Sequence, residues 1–128
     1  MPWRLDTRDQ DRIIEVVYEG TLAAPELRSA THRILSLMLE KKIDRVLLDC
    51  GDAHMEVPAV DVYDLPDVYS DRGISRQQVR AAVVIPKDGY KRELYEFYED
   101  VCRNRGYFVK LFESRDAAWE WLRRDNPS

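Results

Sequence analysis

Between residues 49 and 71 the chain carries seven carboxylates and one imidazole, with no lysine or arginine among them: Asp49, Asp52, His54, Glu56, Asp61, Asp64, Asp67 and Asp71. Oxygens and a ring nitrogen at such spacing could hold a divalent cation, meet a basic partner, or form a solvated acidic face. The spacing matches no EF-hand loop, charge runs are usually solvated, and no metal is assigned. This stretch contributes −7 to a chain whose net charge is −4, so the other residues carry +3. That asymmetry makes Asp52, His54, Glu56, Asp61 and Asp64 the candidates for docking a partner.

Cys50 and His54 offer a nucleophile and a base, since an imidazole beside a thiol can release its thiolate. A separation of four residues in a connection does not set that geometry, and no oxyanion feature accompanies it. A cysteine at a strand end is more often a small buried apolar residue, so no catalytic residue is assigned. An enzyme using Asp49, Cys50 or His54 would require perturbed side-chain chemistry at these positions. The stretch Lys87-Asp-Gly-Tyr-Lys-Arg92 is the candidate anion site. Gly89 permits a tight turn into a helix whose free N–H groups favour negative charge, and Lys87, Lys91 and Arg92 add cations. Walker spacing and its Lys-Ser/Thr pair are absent, which leaves a plain strand-to-helix turn as the simpler reading. No cofactor is indicated.

Apolar residues outside the main stripes suggest contact surfaces. Leu35 and Leu39 project about 80 to 120 degrees from Leu27 at 100 degrees per residue, and Trp119 flanks a C-terminal stripe. Joined in one exposed patch, they would support a homodimer or a partner interface. Tyr90, Tyr95, Phe97 and Tyr98 could line a lipid or metabolite cavity, although core packing explains most of them. His32 falls on the outer side of its helix.

Elements that position these residues follow from periodicity. Arg12–Tyr18, Arg45–Asp49, Val79–Ile85 and Tyr107–Phe112 are β-branched or aromatic runs of strand length. The middle two are nearly uninterrupted, as in a parallel sheet covered on both faces. A leading strand at Trp3–Leu5 pairs back on Ile13–Tyr18 through a polar turn at Arg8–Asp11. Pro25 opens a helix whose Leu27, Ala30, Ile34, Leu37 and Met38 share a face. Tyr90 to Cys102 repeats the pattern, and Asn104-Arg105-Gly106 stops it. Ser114 caps a last helix with Asp116 in its first turn and a buried stripe of Ala118, Trp121 and Leu122, before Pro127. Between Val57 and Ser75, Pro66 predicts a short or broken helix. Open α/β sheets bind ligands beyond the carboxyl ends of their strands, so the connections Glu19–Ala24, Cys50–Pro58, Lys87–Lys91 and Glu113–Arg115 should gather the site.

Bulk properties narrow the class. A chain of 128 residues and 15.1 kDa fits one domain, residues 1–128 with a short tail at 124–128, able to bury a core without metal or disulfide support. With 45% hydrophobic and 34% charged residues it reads as a globular protein with no transmembrane segment. Met1-Pro-Trp-Arg lacks the apolar core of a secretion signal, and Cys50 and Cys102 show no pairing motif, so the expected location is cytoplasmic. A pI near 5.2 argues against nucleic acid as a partner.

The order of elements, together with Val46-Leu-Leu-Asp49, Ala82-Val-Val-Ile-Pro86, Asn104-Arg-Gly-Tyr107 and Ala117-Ala-Trp-Glu-Trp-Leu122, resembles the SpoIIAA-like (STAS/SEC14-type) bacterial domains over almost the whole chain. The resemblance implies an α/β fold, a β-α superhelix on a mostly parallel sheet of about five strands, the first in an antiparallel hairpin, covered by about four helices. Anti-sigma-factor antagonists, anion-transporter domains and lipid-transfer modules share that fold, so fold alone does not choose a function. The antagonists carry an Asp-Ser-Ser/Thr-Gly signature at the start of the second helix, whose serine a kinase phosphorylates. The matching stretch here, Met55-Glu-Val-Pro-Ala-Val60, has no hydroxyl, and that role passes to no residue. The expected function is therefore a non-catalytic regulatory or protein-interaction module, with a protein partner or a second copy of the chain. The alternative is a carrier for a small apolar, lipid-like or anionic ligand, which needs a cavity of a few hundred Å³.

Overall fold

The computed structural model describes residues 2–74 and 79–124. Five strands, β1 (Trp3–Arg8), β2 (Ile13–Ala23), β3 (Arg45–Glu56), β4 (Arg80–Val84) and β5 (Phe108–Phe112), lie side by side in chain order. β1 is antiparallel to β2, with Trp3 opposite Tyr18 and Arg8 opposite Ile13, and all later neighbours are parallel. Four helices complete the chain: α1 (Ala24–Lys41), α2 (Ala59–Asp71), α3 (Arg92–Asn104) and α4 (Arg115–Arg123).

Chain order explains the layering. Parallel neighbours need crossovers, and crossovers of one hand that advance in one direction put α1, α2 and α3 on the same face. The larger core forms there, with Ile14, Val16, Val46, Ala81, Val83 and Val109 of the sheet packed under Ile34, Val62 and Tyr95 of the helices. Among the described residues no strand follows α4, which folds onto the opposite face. Its Ala118, Trp121 and Leu122 bury Ile13, Leu47, Ala82 and Val84. β3 and β4 thus lie beneath both layers, which accounts for their unbroken hydrophobic runs. β1 alternates, with Trp3 and Leu5 packed on the larger core while Arg4, Asp6 and Arg8 are exposed.

Helix ends follow local chemistry. The Ala23 N–H donates to Glu26 at the start of α1, the Ser114 hydroxyl accepts from Ala117 N–H at 3.1 Å, and Gly106, at φ 92°, ends the turn after α3. Arg45 and Arg80 reach under the end of α4 and donate to the Leu122 carbonyl, covering acceptors that a helix leaves open. The tail expected at 124–128 lies, beyond Arg124, outside the described residues.

Two expectations are corrected. α2 runs without interruption through Pro66, although proline forfeits one helical hydrogen bond and crowds the preceding turn. Burial outweighs that cost, since Val62, Leu65 and Pro66 are all buried against the core. Glu19–Ala23 and Cys50–Glu56 are not loops but the outer halves of β2 and β3, which pair from Glu19–Asp52 to Ala23–Glu56 past a bulge. The signal was present in Cys50–Val57, where buried Ala53, Met55 and Val57 alternate with exposed Asp52, His54 and Glu56.

Candidate functional site

The overhang of β2 and β3 beyond the end of β4 forms one rim of the carboxyl edge. Its bulge moves an extra residue into β3, so Cys50 and His54 fall on opposite faces. Cys50 points into the large core, 3% exposed, and burial pushes its thiol up to about 12. His54 faces outward, stacks on Tyr90 with ring centroids 4.2 Å apart, and places Nε2 3.4 Å from an Asp88 carboxylate oxygen. The nucleophile-and-base pairing is thereby overturned: the thiol is protonated, buried and on the other side of the sheet. Asp49 is occupied as well. Its Oδ2 accepts from Arg115 at 2.6 Å and its Oδ1 from the Gly51 N–H at 2.9 Å, while Arg115 also pairs with the buried Glu15 at 2.9 Å.

The Lys87–Arg92 turn runs beside this overhang, held by a hydrogen bond from the Lys87 N–H to the Gly51 carbonyl. The acidic stretch and the basic turn, separate in sequence, meet here. Lys87 Nζ lies 3.8 Å from Asp52, and Arg92 pairs with Glu113 at 3.1 Å and Glu96 at 3.6 Å. Asp88 accepts the Tyr90 N–H at 3.0 Å, which with His54 holds its carboxyl below the usual range. Gly89, at φ 75°, makes the turn, and Lys91, itself left-handed at φ 50°, precedes α3 and lies over the Tyr90 ring. Lys87 and Arg92 each stand near carboxylates of the chain, which compete with an incoming anion for their charge. Among the described residues no group of His, Cys, Asp and Glu is arranged to hold a metal ion.

Beyond the overhang the chain turns at Pro58 into α2, and its outer side presents Val60, Tyr63, Asp64 and Asp67. Val60 is 64% and Tyr63 50% exposed, high values for large apolar side chains. Arg28 pairs with Asp61 at 3.7 Å, and Arg105 pairs with Asp67 while lying 4.9 Å from the Tyr63 ring centroid. Asp64 and Glu56 have no ion-pair partner among the described residues.

The proposed patch of Leu35, Leu39 and Trp119 does not form. Leu35 is 3% exposed and belongs to the large core, and Arg72, just past the end of α2, hydrogen-bonds to His32 and Ser36 of the same helix. Leu39, further along, is 47% exposed. Trp119 belongs to α4 across the sheet, between the guanidinium groups of Arg8 and Arg123. The aromatic set also divides. Tyr95 and Tyr98 line a cavity of about 110 Å³ between the sheet and α1–α3, whereas Tyr90 lies on His54 and Phe97 is 37% exposed. Tyr18, Tyr69 and Tyr107 join the cavity wall and were missed; Tyr18 in β2, Tyr69 in α2 and Tyr107 just before β5 each read as ordinary core.

No protein-family model matches this chain, and no curated protein does. Solved structures show the fold: the chain has a SpoIIAA-like α/β fold. The anti-sigma factor antagonist SpoIIAA in its unphosphorylated form superposes with a TM-score of 0.62 at 11% identity, covering 94% of this chain and 97% of that one. An uncharacterised DUF3478-family protein with a SpoIIAA-like fold from Shewanella loihica PV-4 gives 0.60 at 19% identity, covering 94% and 93%. Among the described residues no helix is long and apolar enough to cross a membrane.

Proposed function

We propose that this protein is a non-catalytic regulatory module that docks another protein on the acidic surface running from the β3 overhang onto α2. One observation carries the reading: Val60 and Tyr63 stand exposed on α2 beside Asp64, which has no ion-pair partner among the described residues, while Asp67 is paired with the Arg105 that lies over Tyr63. Exposed apolar groups rimmed by charge mark interaction sites, and the sign of the rim selects a partner whose basic residues surround its own apolar contact. The position agrees with the resemblance, since the antagonists are phosphorylated at the start of this same helix. Here that start is Pro58-Ala59-Val60, which has no hydroxyl, so a phosphate at this position does not gate the docking. Two buried free thiols, Cys50 and Cys102, support a cytoplasmic setting.

The test compares the wild type with the double variant Val60→Glu, Asp64→Lys, both residues exposed and neither in the core. Circular dichroism and melting should match. Cross-linking and pull-down from native extract should recover a partner with the wild type, lose it with the variant, and weaken as salt rises. Equal recovery by both, or none by either, counts against the reading. The carrier alternative draws on the cavity under α1–α3, whose size suits a small molecule better than a lipid chain. A homodimer through Leu35, Leu39 and Trp119 has lost its basis.

A further inference from the structure

We infer that the cavity between the sheet and helices α1–α3 is a binding site for a small neutral molecule with an aromatic or short hydrocarbon body and one hydrogen-bonding group, seated against the Tyr95 hydroxyl. The inference refines the carrier alternative and is independent of docking on α2's outer face.

Size comes first. The cavity measures about 110 Å³. An engineered protein cavity of about 150 Å³ takes up benzene, so a ring-sized body is the upper range here. Chemistry narrows it further, because the walls are side chains such as Leu35, Met38, Val57 and Val83. Polar atoms along the walls are mostly satisfied: Tyr69 and Tyr98 share a hydrogen bond of 2.7 Å between hydroxyls, and Tyr107 meets Ser70 at 2.9 Å.

Tyr95 differs. The residue is 6% exposed, and its buried hydroxyl makes no hydrogen bond of normal geometry, the weakly accepting Cys50 thiol alone standing close enough to contact it. Its polar neighbours are the Cys50 thiol and the Tyr18 ring, both on the cavity wall. Leaving a buried hydroxyl unpaired is costly, and such groups normally find a partner. A ligand that fills the apolar volume and presents a single oxygen or nitrogen satisfies both features at once.

Phenol and toluene, alike in size, serve as probes. Both should raise the melting temperature of the intact protein at millimolar concentration, and phenol should bind more tightly by roughly fivefold, the usual worth of one hydrogen bond. Amide chemical-shift changes should centre on Tyr95, Tyr18 and Leu35. Tyr95→Phe removes a hydroxyl whose one close polar contact is a weak one to a thiol, so folding is retained; it should abolish the preference for phenol while toluene binds as before. Val62→Phe, which fills the cavity from α2, should lose both probes, and the Tyr95→Phe comparison decides alone if that variant does not fold. Absence of binding by either probe, shift changes confined to the surface, or an unchanged phenol preference in Tyr95→Phe overturns the inference. None of these results alters partner recovery by the Val60 and Asp64 variant, so the two proposals fail separately.

Discussion

Arg115 shows how much one side chain can settle. From the first position of α4 it reaches two carboxylates of the sheet, Asp49 and Glu15, whose side chains are only 15% and 10% exposed. Removing the cation leaves both largely buried acids with weaker partners, Arg8 at 3.7 Å from Glu15 and the Gly51 N–H on Asp49. Arg115→Met is expected to lower stability by about 2 kcal/mol in urea denaturation, a figure reduced from that of a fully buried pair because the guanidinium is partly solvated. The cysteines make a second prediction. Burial raises the thiols of Cys50 and Cys102 to about 12. Because the unfolded thiols ionise near 9, the native state holds more protons between these values. That stability is complete below about pH 9 and is lost as pH climbs toward 12. The urea midpoint of the wild type should therefore fall over this range more steeply than that of Cys50→Ala, and Ellman's reagent should label Cys50 only as the protein unfolds.

At the scale of elements, β5 illustrates protection of a sheet edge. Its outer backbone groups are occupied by side chains of α3: Glu99 accepts the Leu111 N–H at 2.8 Å, and Arg103 donates to the Val109 carbonyl at 2.8 Å. An open edge with exposed Phe108 would invite pairing with another chain. Glu99→Ala should raise the sedimentation coefficient with concentration while leaving the monomer folded; a monomer at all concentrations would remove this role. The same scale explains where sequence reading erred. Pro66 carries a strong local signal against helix, but the signal counts hydrogen bonds and cannot see the core that buries the ring. The overhang was legible as alternation in Cys50–Val57, yet the turn-like Gly51 and its acidic neighbours masked it.

For the molecule as a whole, the two leucines of α1 separate local from global information. Both project off the helix's main stripe, and only the tertiary packing makes Leu35 core and leaves Leu39 on the surface. Leu35→Ala should cost about 2 to 5 kcal/mol, the range for emptying a buried leucine, and Leu39→Ala should stay within about 0.5 kcal/mol of the wild type; urea titration of both checks it. Nearly all of the fold was readable along the chain: the hairpin, the three crossovers, the Ser114 cap and the Gly106 stop are each decided by neighbouring residues. The acidic stretch and the basic turn were readable as compositions, though not as a meeting of His54 with Tyr90 and Asp88. That contact depends on β4 ending early beside a longer β3, a matter of sheet register. The cavity belongs wholly to tertiary structure, because an inward-facing tyrosine looks the same in sequence whether its hydroxyl is paired, like those of Tyr69 and Tyr98, or left beside a weak thiol, like that of Tyr95. Periodicity tells which way a side chain faces; only packing in three dimensions determines what it meets there.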